Sequence, residues 1–485
     1  MLPLASPEGA DRRAALLLGA LLAISAAVAF FTAGTHDSGD SINHYLFAHY
    51  AFAHPLNLLD SWAKPLFTLL AAGPAQAGFM GMKVFQCVVV AGSAWCAYVV
   101  ARALQLPVPE LAILFAYAAP DYFLIQFSGL TEPLFGLVLV GAVALAVTDR
   151  LGWSALLISW LPFARSEGFI LMGIWVVYLA WQRQWRWLPL LLVGYAVYTA
   201  VGALALGEPG WVFGRNPYGT ISVYGHGDWT HFLRNIPNLL GWVLTVLFVF
   251  GGGRMVWSLA QPARWQEPRF RAELLLVYGS ITVFTAAHTI FWAKGLFNSA
   301  GLARVLTGIA PLAAVVALNG VALLTAATQS AVARRRIRMV AAGAAVAWLF
   351  TGARNAIRPA RDFTLSPEQE LARHASSWLR QAYAGQLMPP IAFAAPYLAP
   401  ALQVDPFDEV SHPPLTKDWH PILETLPVRT LVFWDDVFVS DEAHIPLLLL
   451  QNDARFRLRW QDSQMRDPNH PDRGVCQLVV FERMK

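Results

Sequence analysis

Charge is scarce in this chain: 14% of its 485 residues are charged and 56% are hydrophobic. Soluble domains carry about 25% charged residues, so the composition excludes a wholly water-solvated globule. Cysteine is scarcer still. Cys87 and Cys96 lie inside an apolar run and Cys476 stands alone near the C-terminus, which excludes a disulfide framework. The net charge is only +4, and the basic residues sit at the ends of apolar runs rather than on one continuous face, so no nucleic-acid partner is expected. No internal repeat is visible, which weakens a secondary-transporter reading.

Apolar sequence is what the chain has in quantity. Runs of about 17 to 25 mostly apolar residues read as membrane-spanning helices, because lipid offers no partner to bare backbone groups. Eleven are expected, at roughly 13 to 33, 83 to 103, 109 to 127, 130 to 148, 151 to 164, 167 to 182, 187 to 206, 236 to 257, 272 to 291, 302 to 325 and 339 to 354. The fifth and sixth are short and separated only by Arg165 and Ser166. The first follows Arg12 and Arg13, as a signal peptide would. Its apolar run is long and no small-x-small site closes it, so an uncleaved anchor is expected.

Positive charge sets the orientation. With the N-terminus cytoplasmic, the inner connections hold Arg12, Arg13, Arg102, Arg150, Arg183, Arg186, Arg254, Arg264, Arg269, Arg271 and the run Arg334, Arg335, Arg336 and Arg338. The outer ones hold few basic residues for their length, the bias of the positive-inside rule. The expected location is a bacterial inner membrane, with the C-terminus periplasmic.

Residues 34 to 82, 207 to 235 and everything after about 355 are the long outer segments. The first carries apolar and aromatic residues at helical spacing beside His44, His49, His54 and Lys64, the pattern of amphipathic helices on the outer leaflet. A five-residue spacing turns the three histidines to different helix faces, so they do not converge on a metal. After 355 the chain becomes charged and Pro-rich, with β-type runs at 390 to 394, 430 to 434 and 477 to 481 and helical patterns near 366 to 384 and 441 to 451. A small extramembrane α/β domain is expected there. It has neither a Gly-rich phosphate loop nor zinc spacing, and WDDVFVSDEAH, with Asp435, Asp436, Asp441, Glu442 and His444, reads as a solvated acidic loop.

The chemistry candidates are ionisable residues that this topology places at the outer rim. A charge at membrane depth costs about 2.5 to 3.5 kcal/mol, so such residues usually face a cavity and a partner. The set is Asp37 and Asp40 after the first span, Glu132 in GLTEPLF, Arg165 and Glu167 in FARSEGF, His226, Asp228 and His231 in YGHGDWTHFL, and His288, Lys294 and Arg304 around the loop before the tenth span. Acids and bases from separate stretches could meet in one outward-facing cavity suited to a lipid phosphate, where an arginine fork holds oxygens and a carboxylate takes a proton. Competing readings stand beside these. Arg165 with Glu167 could be an internal ion pair, Arg304 an interfacial snorkeller, and Glu132 a cap before its proline. Asp40 follows a flexible Ser-Gly pair and has no local basic partner.

The layout resembles the GT-C superfamily of integral-membrane glycosyltransferases, which use polyprenyl-phosphate-linked sugars. The likeness rests on HDSGDSINHYLFAHY in the first outer loop, SGLTEPLF, ARSEG and the late GLFNSAGLARVLTGIAP, over roughly residues 13 to 354. The resemblance implies a multi-span α-helical fold with about eleven transmembrane helices, a catalytic unit over 1–354 and a C-terminal α/β domain over 355–485. It implies an inverting transfer of a hexose such as mannose to a glycan, lipid or protein acceptor outside. Asp40 matches the catalytic acidic position, with Asp37 as alternative and Glu132 as a further acid. Arg304 matches the late arginine that holds the donor phosphate, here in ARVLTGIAP rather than the more usual Arg-Tyr, and Arg165, Lys294 and His288 would assist it. His226, Asp228 and His231 are the candidates for acceptor or sugar contact. The first loop lacks the Asp-Glu pair of the protein O-mannosyltransferases. No cofactor and no metal are expected. A transporter or flippase for a lipid-linked or anionic solute is the alternative reading; it predicts charges near the bilayer midplane.

Overall fold

The computed structural model describes residues 7–215, 217–357, 364–415, 419–467 and 470–485. Within these, six helices are long and apolar enough to cross a membrane: Gly9–Phe31, Gly78–Ala103, Trp185–Leu206, His231–Leu259, Pro268–Lys294 and Ala303–Ala326. Four of the expected spans lie on shorter or broken helices. The run 109 to 127 is split into Leu111–Ala118 and Pro120–Ile125, because Pro120 has no N–H to continue the ladder and Ala119 before it is extended, at φ −71° and ψ 112°. The others are Glu132–Val147, Leu151–Ala164 and Gly168–Trp181. At 1.5 Å per residue the 16 residues of Glu132–Val147 reach about 24 Å, short of a hydrocarbon core of about 30 Å. Residues 126–131, at the end where Glu132 lies, are buried. The last expected span sits on a longer helix, Ala331–Ile357.

The first helix is packed into the bundle. It buries Ala14, Leu21 and Val28, and at its start Asp11 pairs with Arg102 and Arg13 with Glu110.

The first long connection forms the helices Asp40–His49 and Pro65–Ala75 with a 3₁₀ turn Pro55–Leu59 between them, as its amphipathic pattern predicts. Its histidines diverge: His44 stacks on Trp62, His49 bonds Ala75 O at 2.8 Å, and His54 pairs with Asp405 at 2.8 Å.

Beyond residue 364 a helix Pro367–Ala382, capped by a Ser366–Gln369 box, covers a four-stranded sheet. The strands are β1 (Ile391–Ala392), β2 (Leu431–Asp435), β3 (Phe456–Met465) and β4 (Val475–Arg483), in the order β1-β2-β4-β3. β1 runs parallel to β2, and the rest is antiparallel. β3 is not legible as a strand because FRLRWQDSQM carries its charges on an exposed edge. The helical pattern near 441 to 451 is only the short helix Leu447–Asn452.

The acidic loop expected at 435–444 is only partly solvated. Asp435 is fully buried and its carboxylate accepts from the N–H groups of Val437, Phe438 and Val439 at 2.8 to 3.1 Å. A turn that offers converging N–H donors satisfies a buried carboxylate that sequence alone places in water. Burial nonetheless pushes Asp435 up to about 6, against those hydrogen bonds. Asp436 pairs with Arg466, while Asp441, Glu442 and His444 are exposed.

The sheet layer sits on the first connection. Tyr50 donates to Val404 O at 3.0 Å, His54 pairs with Asp405, and Phe407 packs edge-on against Phe47 with ring centres 4.9 Å apart. One hydrophobic cluster runs from Ile42 and Phe67 of the first connection through the bundle to Leu371, Tyr397 and Leu478 of this layer.

Candidate active site

Gly129 brings the two halves of the site together. Its N–H donates to Ser41 Oγ at 2.7 Å, and a Cβ there would run into the Ser41 carbonyl. Only glycine lets the turn before Glu132 lie this close to the helix that Asp40 begins.

Around this junction is a cavity of about 470 Å³, within the range of about 300 to 1,000 Å³ usual for small-molecule sites. Asp40, His44, Trp62, Lys64, Glu132, Arg165, Glu167, Tyr218, His288, Asn298 and Arg304 are on its wall. Arg304 Nη1 lies 2.6 Å from Asp37, its Nη2 pairs with Asp40, and its Nε is 3.8 Å from Glu132. Arg165 bridges Glu132 and Glu167, at 2.9 Å to each, and His288 Nε2 lies 3.5 Å from Glu167. Acids and bases from stretches far apart in sequence thus form one continuous network.

The acids differ in what they can do. Asp37 Oδ1 accepts from the N–H of Gly39 and Ser41, so this carboxylate fastens the start of the helix. Asp40 has a 44% exposed side chain at the mouth, whereas Glu132 is 2% exposed. Glu167 lies 2.9 Å from Arg165 and 3.5 Å from His288. It is therefore a counter-ion and a poor base. No side-chain cap bond opens this helix; Glu132 Oε1 faces the two arginines.

Sequence reasoning named Lys64 only as part of an amphipathic helix, and the structure gives it a sharper position. It is 4% exposed and stands at φ 65° before Pro65, a conformation that costs a non-glycine residue about 1 to 3 kcal/mol. Its ammonium donates to Tyr218 Oη at 2.5 Å, Ser61 O at 3.2 Å and Ser166 Oγ at 3.4 Å. Among the described residues it makes no ion pair with a carboxylate. Burial, only partly offset by Glu167, lowers it to about 8. His44, equally buried, is lowered to about 3 by burial and then by Lys64, so it is a neutral wall beside Trp62.

Five expected residues lie off the cavity wall, one of them Asp37, which contacts Arg304. Lys294 closes its helix just before the left-handed Gly295, is exposed, and stacks over Trp229. His226 is exposed. Asp228 caps Thr230 and pairs with Arg234 at 3.3 Å. His231 Nε2 bonds Gly301 O at 2.7 Å, which ties a helix start to the late loop. The strap between residues 217 and 231 runs along 292–301 through backbone bonds such as Ser222 N to Gly295 O, and presents Tyr218 and Tyr224 to the cavity instead.

Several buried polar atoms of the wall have no hydrogen-bond partner: Glu132 Oε2, Asn298 Oδ1, His288 Nε2, Arg165 Nε and Arg304 Nε. An unmet buried polar atom costs about 1 to 3 kcal/mol. Acceptors and donors left open on one wall fit a ligand that carries both hydroxyls and an anion. Among the described residues no group of three His, Cys, Asp or Glu side chains could hold a metal ion.

Solved structures with a similar fold exist. ArnT from Cupriavidus metallidurans bound to undecaprenyl phosphate superposes at a TM-score of 0.63 and 12% identity, covering 96% of this chain and 97% of its own. Its apo form gives 0.60 and 14% over the same shares. This is the GT-C fold. The expected fold class, a multi-pass helical membrane protein with a small C-terminal sheet layer, is the observed one. An Archaeoglobus fulgidus oligosaccharyltransferase tethered with an acceptor peptide aligns over 86% of this chain and 69% of its own at 11% identity and a TM-score of 0.48, below the level that establishes a shared fold. No family model and no curated protein matches the sequence. The charged wall of this cavity comes from connections that alternate along the chain with the arginine-rich ones.

Proposed function

We propose that this protein is a membrane glycosyltransferase that moves a hexose, mannose among them, from a polyprenyl-phosphate donor to an acceptor on the extracytoplasmic side, with inversion. The carrying observation is the presence, in one cavity, of an accessible aspartate and a buried lysine that no carboxylate among the described residues touches in an ion pair. Undecaprenyl phosphate is the ligand of a protein with the same fold, which supports a lipid phosphate in this cavity. On this reading residues 1–354 form the catalytic membrane unit, residues 355–485 lie outside, and the membrane is a bacterial inner membrane with a cytoplasmic N-terminus.

Lys64 holds the donor phosphate as a point charge, with Arg165 beside it. Asp40 takes the proton of the acceptor hydroxyl. The acceptor oxygen attacks the anomeric carbon from the face opposite the phosphate, and the bond from that carbon to the phosphate oxygen breaks with its electron pair left on the lipid phosphate. Arg304 holds Asp40 in place rather than serving the phosphate alone, because Asp37 and Asp40 already occupy its Nη atoms. The open acceptors Glu132 Oε2 and Asn298 Oδ1 receive sugar hydroxyls.

Incubation of purified protein with a panel of radiolabelled polyprenyl-phosphate sugars, with an extract of extracytoplasmic glycans and lipids as acceptor, tests this. Sugar transfer with release of free lipid phosphate is expected. Uptake of labelled donor into vesicles without bond cleavage would instead support the transporter alternative.

A further inference from the structure

The turn after β2, held by buried Asp435, has no part in this mechanism, yet it reaches the catalytic segment. The three N–H groups that bond Asp435 fix the backbone of Val437, Phe438 and Val439, and the Phe438 ring projects onto Gly39, one residue before Asp40. A Cβ built on Gly39 would stand 3.4 Å from Phe438 Cζ. Tyr397 backs the ring edge-on, with centres 6.0 Å apart. A second contact comes from the other side. Gln369 Nε2 donates to Thr35 Oγ1 at 2.9 Å, and Thr35 Oγ1 donates to Asp37 O at 2.6 Å.

We propose that the sheet layer is a clamp that positions the base: Phe438 and Gln369 grip the segment 35–39 at both ends and set Asp40 against Arg304 at the cavity mouth. The inference rests on the reading of Asp40 as base. Residues 33–39 contain Gly34, Ser38 and Gly39 and form no regular structure, so the segment depends on the turn bonds of Asp37, its pair with Arg304 and these outside contacts. A layer that merely covered the bundle would need neither contact. Phe438 and Gln369 are positioning residues, since neither lines the cavity.

Three variants of the full chain test the clamp by steady-state transfer and thermal unfolding. Phe438→Ala should lower kcat about tenfold or more with donor KM within about twofold, because a base misplaced by about 1 Å costs up to about a hundredfold. Phe438→Leu, which refills the contact, should return kcat to within about threefold of the parent. Gln369→Glu keeps the capping box with Ser366 but removes the donor to Thr35; kcat should fall with Tm unchanged. Wild-type kcat in Phe438→Ala, a loss confined to KM, or a folded Phe438→Leu as impaired as Phe438→Ala would each overturn the clamp. Should Phe438→Ala not fold, Gln369→Glu decides: wild-type kcat overturns the proposal and reduced kcat at unchanged Tm supports it. A parent protein that transfers no sugar would remove the transferase reading and the clamp together, whereas active variants beside an active parent remove the clamp alone.

Discussion

Replacing Lys64 tests the phosphate handle most directly. This ammonium is buried among neutral partners, and burial takes it from 10.5 to about 8. That fall corresponds to about 3 kcal/mol of solvation lost by the cation. A donor phosphate restores much of it through a charge-assisted hydrogen bond of about 1.5 to 3 kcal/mol. Lys64→Met should therefore weaken donor binding about ten- to a hundredfold, with the Asp40–Arg304 pair untouched. The pH dependence follows from the same value. The lysine is charged below about 8 and neutral above it, so donor affinity should be flat up to about pH 8 and then fall about tenfold per pH unit. Lys64→Arg, charged throughout, should remove that alkaline limb. Titration of the purified protein with a donor analogue, from about pH 6 to about pH 10, reads all three curves. Unchanged affinity in Lys64→Met, or an alkaline limb that survives in Lys64→Arg, refutes the assignment.

Asp40→Asn should lower transfer by about a hundredfold or more, the usual worth of a general base, with expression and thermal unfolding unchanged because the side chain is half exposed; normal turnover in that variant would return the role to another acid. Glu132→Gln removes a buried counter-charge shared by Arg165 and Arg304 and should cost about 3 kcal/mol or more, seen as a large drop in Tm, so a Tm within error of wild type would contradict the network. Gly129→Val places a side chain against the Ser41 carbonyl and should cost about 1 to 3 kcal/mol as overpacking together with most activity, which thermal unfolding and transfer assays check side by side.

The fold was legible because the bilayer makes one demand, satisfied backbone over a fixed depth, and apolar run length answers it. What run length could not show was interruption within a run. Pro120 sits in the middle of an unbroken apolar stretch, and only its missing N–H divides that stretch into Leu111–Ala118 and Pro120–Ile125. The site was legible by the same cost argument, since Asp37, Asp40, Glu132, Arg165, His288 and Arg304 stand where charge is expensive, and they share one network in space. His226, Asp228, His231 and Lys294 met the same criterion and lie off the wall, because the strap that carries the first three is fixed by backbone bonds to 292–301, a pairing with no periodic signature. Lys64 was obscured for the opposite reason. In sequence it is one cation on an amphipathic stretch, and nothing there marks its positive φ or its burial against Tyr218.

The three cations on the cavity wall, Lys64, Arg165 and Arg304, differ in their counter-ions. Arg165 and Arg304 carry the same charge as Lys64, but carboxylates at 2.9 Å or closer already neutralise them. An incoming phosphate must compete with those carboxylates for the arginines and gains little net Coulomb energy there. Lys64 is buried with Glu167 only partly offsetting the loss of water and with no carboxylate in ion-pair contact among the described residues, so an arriving anion displaces no paired carboxylate there. On this wall, position in sequence tells where charges gather, and the cation without a carboxylate in ion-pair contact among the described residues marks where an anionic ligand goes.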